Sequence, residues 1–563
     1  MKYTEKLRIL SPLIKIAIIL VLVIFVFIPS FYLFTFILLR WNEVYNEIFA
    51  NPIIGNFYWI QIQRYILFSF KIAFSTVIID LLFGIPLAYI LARKRFFGKE
   101  FIEDLITLPL VIPTSGFGFA TLITWTASES IISILGIKIR IDTLVPFINI
   151  PFLILLVHVS LTFPYIVKTL VASLIDLKNS LEIVSNSLGA SSLTTFRKIV
   201  FPLVIPGIFS GSVLALARSL GETGATMIVS GVSITASIAI VRWEFENKLA
   251  PAAFIGALLI CIALLIILPI EYFSSNKRGR RYFSRRILSM HFESKLVLIE
   301  KLIAKKIYWV KDIFSILFVA TIIILPIFTL TVSCVRYWSS DPYTGRIEGS
   351  ILYQLFGPSN YYNLILRSTI TSFIASGISI LLSIYIGILT IILIVKSKYG
   401  DFIRALLKIP LVVPTSALGL SMVLLWGPSG LNILAPSIWL IILTHIVFSV
   451  PVIVETGLAS YREIGVDFYE DTARTLGATP YDVIETISIP MIKRGIISGG
   501  LLAFTHSLGE TGATFLVMGN DTTISTLVVN MVEALAIPAA LFASLLLISL
   551  SLLLLIIIRV ISR

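Results

Sequence analysis

The chain has 563 residues, 57% of them hydrophobic and only 13% charged, with a net charge of +13 and a mean hydropathy of +0.99. Soluble domains carry about 25% charged residues, so this composition excludes a soluble globular protein and predicts a polytopic membrane protein. The basic excess lies in short clusters between apolar runs, as inner loops do, which implies contact with membrane lipid and no nucleic acid.

A run of about 20 apolar residues crosses a bilayer. After a basic N-terminus (Lys2, Lys6, Arg8, Lys15) the first predicted span is 13–39. It is too long for a signal-peptide core and lacks a small-residue cleavage site, so it reads as retained. Further spans are predicted at 65–92, 105–127, 147–170, 204–231 and 252–273, then at 313–335, 365–395, 405–426, 436–458, 493–518 and 535–558. The expected fold is all-α, with about twelve transmembrane helices in two six-span halves, 1–276 and 313–563. Arg93, Lys94, Arg95 and Lys99, then Lys168, Lys178, Arg197 and Lys198, with their counterparts in the second half, put the basic loops and both termini on the cytoplasmic side of the cell membrane. A linker at 277–312 carries Lys277, Arg278, Arg280, Arg281, Arg285, Arg286, Lys295, Lys301, Lys305, Lys306 and Lys311, suited to anionic headgroups. Cys261 and Cys334 lie in or beside apolar helices and imply neither a disulfide framework nor a metal site.

The halves repeat one another. Leu108–Ser115 (LPLVIPTS) returns as Ile409–Ser416 (IPLVVPTS), His158 and Pro164 as His445 and Pro451, and Gly189, Pro202 and Glu222 as Gly477, Pro490 and Glu510. With an even number of spans in each half, the copies share one orientation and form a parallel repeat around a central pathway.

Within the predicted fifth spans, Arg218–Thr226 (RSLGETGAT) recurs as His506–Thr514 (HSLGETGAT). A carboxylate there is costly, about 2.5–3.5 kcal/mol on insertion scales. At helical spacing Arg218, Glu222 and Thr226 would share a face, as would His506, Glu510 and Thr514, and the Arg–Glu pair would neutralise itself. Ala217, Gly221 and Ala225, and their counterparts Thr505, Gly509 and Ala513, form a small-residue stripe for close helix approach. Two readings stand: the carboxylates hold helices together, which is favoured, or they touch substrate. Arg218 and the Thr hydroxyls suit an oxyanion; a ferric ion would invert that preference. Thr114, Ser115, Thr415 and Ser416, closing the two-proline motif, join these residues as candidates for the pathway or for helix pairing. His158 and His445 read as satisfied core residues.

Between the fourth and fifth spans each half has an inner segment: a helical run, a Gly, a short amphipathic run, then Pro. The residues alone leave it either an interfacial helix or a knob for a cytoplasmic partner. At these segments the chain resembles the permeases of binding-protein-dependent ATP-binding-cassette importers with six spans per half. Their signature is Glu-Ala-Ala, three residues, Gly, nine residues, Ile, one residue, Leu-Pro. Gly189, Ile199 and Pro202 match its spacing, as do Gly477, Ile487 and Pro490, with Ala190 and Ala478 after the glycines. Asp471 and Ala473 occupy two places of the triplet; Ile183 and Ser185 depart from it.

The resemblance implies the type I importer fold, coupling helices seated in two copies of a cytoplasmic ATPase, and an extracytoplasmic substrate-binding protein. The chain has no G-x-x-x-x-G-K-[ST] loop, so it is expected to be no enzyme and to need no cofactor. The two-proline motif and Leu-Gly-Glu-x-Gly-Ala are most similar to those of sulfate, molybdate and tungstate permeases, and Gly-Glu-Thr also to phosphate permeases. Fusion of two halves is more reminiscent of ferric-iron and thiamine permeases. An oxyanion importer is favoured. An ion-coupled carrier using Glu222 and Glu510 is the competing class, and the paired inner signatures argue against it.

Overall fold

The computed structural model describes residues 14–562 apart from 129, 138, 178, 276–296, 299 and 302–309. The N-terminal cations Lys2, Lys6 and Arg8, and the linker cations other than Lys301 and Lys311, lie outside the described residues.

A lipid-embedded chain must satisfy its backbone internally, so apolar runs become helices. The first half comprises α1 (Ile14–Leu39), α2 (Ile54–Arg93), α3 (Lys99–Val111), α4 (Thr114–Thr126), α5 (Phe152–Ile175), α6 (Ser180–Ser187), α7 (Ser192–Gly221), α8 (Gly224–Val229), α9 (Ala236–Phe245) and α10 (Leu249–Ser275). Each of these has a counterpart in the second half: α11 (Lys311–Arg336), α12 (Tyr361–Lys396), α13 (Gly400–Leu407), α14 (Thr415–Trp426), α15 (Ile438–Ile464), α16 (Val466–Thr475), α17 (Pro480–Gly509), α18 (Gly512–Val517), α19 (Ile524–Glu533) and α20 (Ile537–Ser562). Among the described residues, ten helices are long and apolar enough to cross a membrane.

The third and fifth predicted spans of each half are interrupted. Pro113 turns the chain between α3 and α4, whose axes are bent by 111°; Pro414 does the same before α14. A proline at these points cannot donate the bond that would continue the helix. The fifth spans stop at Gly221 and Gly509 rather than running on to 231 and 518.

The first helices are exchanged: α1 packs on α10 and on α14 of the other half, while α11 packs on α2 and α4. Lipid is as apolar as Leu, so hydrogen bonds and close fit hold such helices together. Pro326 cannot bond back to Ile322, and the Ser160 hydroxyl on α5 fills that gap, donating to the Ile322 carbonyl at 3.2 Å. The Ser421 hydroxyl donates to the Pro29 carbonyl on α1. Phe83 of α2 stacks on Phe318 of α11 at 3.9 Å between ring centres.

Candidate functional site

The two interrupted fifth spans meet each other and the interrupted third spans where the two halves touch. Glu222 and Glu510 leave the helix with extended backbone (ψ 127° and 126°). Each carboxylate turns back to cap the next short helix, accepting from Ala225 N at 3.0 Å and from Ala513 N at 3.2 Å. Carbonyls freed by the break are satisfied too: Ser237 donates to Leu220 O at 2.7 Å and Ser525 to Glu510 O at 2.8 Å. The break is therefore bonded within the protein: side chains take up backbone groups that the interrupted helices leave open.

Arg218 Nη2 lies 2.6 Å from Glu222 Oε2, whereas His506 Nε2 stands 3.9 Å from Glu510 Oε2. The Arg218 side chain is 23% exposed and that of His506 39%, so both border open space beside a buried carboxylate. The Arg–Glu pairing expected from spacing is present. The shared face is not: Thr226 and Thr514 lie beyond the break, on α8 and α18. Their hydroxyls sit 3.0 Å from His158 Nε2 and His445 Nε2, and the opposite ring nitrogens meet Ser219 at 2.7 Å and Ser507 at 2.6 Å. Each histidine is a fully bonded core residue that ties the fourth helix across the break.

The halves touch where side chains are smallest. A methyl placed on Gly224 would come 2.6 Å from Thr511 Cβ and 2.9 Å from Thr114 Oγ1; one on Gly512 would come 2.8 Å from both Thr223 Cβ and Thr415 Oγ1. A methyl on Gly221 would come 3.3 Å from Pro414 Cα, and one on Gly509 would come 2.8 Å from Pro113 Cα. Four Thr hydroxyls (Thr114, Thr223, Thr415, Thr511) thus surround two glycines at the junction. Ser115 and Ser416, one residue behind, are fully buried with unpartnered hydroxyls. Thr223 and Thr511 were not singled out from sequence, although the repeated motif contains both.

At one end of the bundle, α6 and α16 each close on a left-handed glycine, Gly189 at φ +86° and Gly477 at φ +91°, a conformation Gly adopts without cost. Ala190 N and Ala478 N complete the caps on Ser185 O (3.2 Å) and Ala473 O (3.0 Å). Apolar side chains stay exposed around them: Leu181, Ile183 and Leu188 in one segment, Phe468, Tyr469 and Leu476 in the other. Asp471 is 75% exposed. Ile199 and Ile487 lie within π-turns that precede Pro202 and Pro490, where the wider turn accommodates the missing N–H.

The segments are pinned by two residues that sequence reading passed over. Glu182 accepts from Arg93 Nε at 2.7 Å and from the Tyr89 hydroxyl at 2.8 Å. Glu470, 288 positions on, takes Lys396 and the Ser488 hydroxyl, the latter at 2.6 Å. Both are buried, and the repeat register alone would have paired them. Burial acts to raise the Glu470 carboxyl, but the hydrogen bonds from Lys396 and Ser488 outweigh it and hold the group below the ordinary Glu value.

A family model described as "Binding-protein-dependent transport system inner membrane component" matches residues 84–279 and again 379–563, together more than half of the chain. Individual relatives divide by substrate name. The "Probable sulfate transport system permease protein cysT" of Chlorella vulgaris is 32% identical over 246 residues, 42% of this chain and 86% of that protein. The "Molybdate/tungstate transport system permease protein WtpB" of Pyrococcus furiosus is 30% identical over 206 residues, 36% of this chain and 75% of its own. The "Fe(3+)-transport system permease protein FbpB 2" of Haemophilus influenzae is 28% identical over 438 residues, 77% of each chain.

Proposed function

The chain belongs to the family of inner membrane components of binding-protein-dependent transport systems, and from that premise we propose that it is the translocating permease of an ATP-driven importer for a small inorganic oxyanion such as molybdate, tungstate or sulfate. It lies in the cell membrane with both termini and the 277–312 linker in the cytoplasm. An extracytoplasmic protein delivers the solute, and two copies of a separate cytoplasmic ATPase engage α6 and α16.

The observation that carries this reading is a continuous lever. Helix α7 runs unbroken from the exposed segment ending at Gly189 to the axial break at Glu222, and α17 does so from Gly477 to Glu510. Each is 30 residues, about 45 Å at the α-helical rise. Displacing the segment ends moves the Thr–Gly junction where the pathway is shut. Alternate opening on the two faces follows if the junction parts when the ATPases close.

The chemistry at the junction favours an anion. Its polar groups are Thr hydroxyls, the His506 imidazole and the Arg218 guanidinium, which gives one arm to Glu222 and keeps further N–H donors, while each Glu carboxylate caps a short helix. A second reading, ferric iron, draws on the relative of that name, whose match extends over 77% of this chain; Glu222 and Glu510 would then face the cargo. Reconstitution with the cognate ATPase and binding protein separates the two. ATP-driven accumulation of molybdate, tungstate or sulfate is expected, and uptake of ferric iron alone would overturn the oxyanion assignment.

A further inference from the structure

The linker reaches back to the first exposed segment. Glu300 Oε1 lies 2.5 Å from Arg197 Nε, and Glu300 Oε2 lies 2.7 Å from Thr194 Oγ1 and 3.3 Å from Arg197 Nη2. Thr194 in turn donates its backbone N–H to Ser191 Oγ at 3.2 Å, so the carboxylate closes the start of α7. The second half builds the same corner without help. There the residues 288 positions on are Thr479, Asp482 and Glu485. Asp482 Oδ2 accepts from Thr479 N at 3.0 Å and from Thr479 Oγ1 at 2.5 Å, while Asp482 N donates to Thr479 Oγ1 at 3.2 Å.

Half two thus carries its own carboxylate and no cation at this corner. Half one carries a Thr and an Arg, and borrows the carboxylate from a residue 106 positions away. The two differences match each other, since Arg197 is the group that recruits what Thr194 lacks. A chance surface contact would not need the paired exchange.

Between α6 and the linker lies a groove of about 600 Å3, bordered by Leu181, Val184, Leu188, Lys198, Val297 and Lys301. It is continuous with the exposed apolar face of α6 and with Gly189, beside which a side chain would meet open space. We propose that the linker strap carrying Val297, Glu300 and Lys301 is part of the ATPase-docking surface of the first half. This rests on reading α6 and α16 as coupling segments. One cassette ATPase subunit occupies the groove, meeting α6 and the strap together. The strap's exposed Lys301 gives this dock a cation that selects an acidic rim on that subunit. The second dock presents Asp482 and Glu485 at its surface, with Asp471 paired to Arg474 at 3.4 Å. The linker is then a working part of the first dock, standing in for the triplet that Ile183 and Ser185 do not supply.

The test uses the full complex of the chain with its own cassette ATPase in lipid nanodiscs. Hydrogen exchange of residues 180–200 reads the clamp; retention of the ATPase on dilution reads the dock. Glu300→Gln should speed exchange and weaken ATPase retention on the order of tenfold, the scale of a hydrogen bond to a charged group. Thr194→Asp added to Glu300→Gln restores an internal carboxylate and should recover exchange. Lys301→Glu should weaken retention while leaving exchange unchanged, because the clamp is intact. Gly477→Arg serves as the control for the coupling reading. If it abolishes retention while Glu300→Gln and Lys301→Glu leave retention unaltered, the strap is only a brace and the proposal falls. If Gly477→Arg also leaves retention intact, the coupling assignment itself is wrong.

Discussion

Arg218 Nη2 and Glu222 Oε2 are held 2.6 Å apart across the point where α7 ends, with the carboxylate only 3% exposed. Removing one partner of a buried pair costs about 3–5 kcal/mol because the other charge is stranded. Arg218 keeps partial access to water, so Glu222→Gln should fall at the lower end of that range. Adding Arg218→Gln should recover much of the folded yield. Glu510→Gln should be milder, since His506 is more distant and can shed its proton. Detergent-stable yield by size exclusion, measured for the three variants and the wild type alongside uptake, checks this. Normal folding with lost uptake, unrescued by the double change, would mean that the carboxylates serve the cargo directly.

Close packing of α4 on α8 and of α14 on α18 predicts a second pattern. A methyl on Gly419 would lie 2.7 Å from Ala513 O, and one on Gly118 would lie 2.8 Å from Ala225 Cα. Backbone cannot yield cheaply, so Gly419→Ala and Gly118→Ala should each cost about 1–3 kcal/mol. Gly377→Ala, with nothing within 4 Å of the added methyl, should be neutral or stabilising. Melting temperatures of the three variants decide it.

At the exposed segments, Gly477→Arg and Gly189→Arg both place a side chain at a positive-φ position that faces open space. The damage should therefore appear in partner assembly more than in folding. Because Asp471 and Ala473 preserve the triplet and Ile183 and Ser185 do not, Gly477→Arg should impair transport and ATPase assembly at least as severely. An effect confined to Gly189→Arg would contradict that ranking.

Acid should loosen the α16 segment. The Glu470 carboxyl lies below its ordinary value in the folded protein, about 4.3 in an unfolded chain. A depressed carboxyl stabilises the fold fully above the unfolded value and loses that contribution as pH falls through the folded one. Wild-type stability relative to Glu470→Gln should be constant from neutrality to about pH 5 and converge below it. Lys396, Arg474 and Ser488 surround the group. A gap between the two proteins that widened in acid would refute the assignment.

Much of this was legible because duplication makes a sequence annotate itself. The register that pairs Gly189 with Gly477 located both exposed segments, and the left-handed caps follow from Gly alone. The axial break was not legible. Arg218, Glu222 and Thr226 fit helical spacing, but the Gly-Glu-Thr-Gly core lets the carboxylate cap the next helix, which outcompetes continuing the old one. Glu182 and Glu470 were hidden by attention to a family triplet that begins one residue later. Exchange of α1 and α11 between halves is a long-range choice with no local signal, and the Glu300 clamp joins residues more than a hundred positions apart.

The most direct measurement is solute uptake into proteoliposomes holding the chain, its cassette ATPase and its binding protein, driven by ATP or by an ion gradient in turn. The chain alone should hydrolyse no ATP. Uptake should require ATP, stop with Gly477→Arg, and ignore an imposed proton or sodium gradient. Uptake sustained by the gradient in the absence of ATP would contradict the account and make Glu222 and Glu510 the carriers of a secondary transporter.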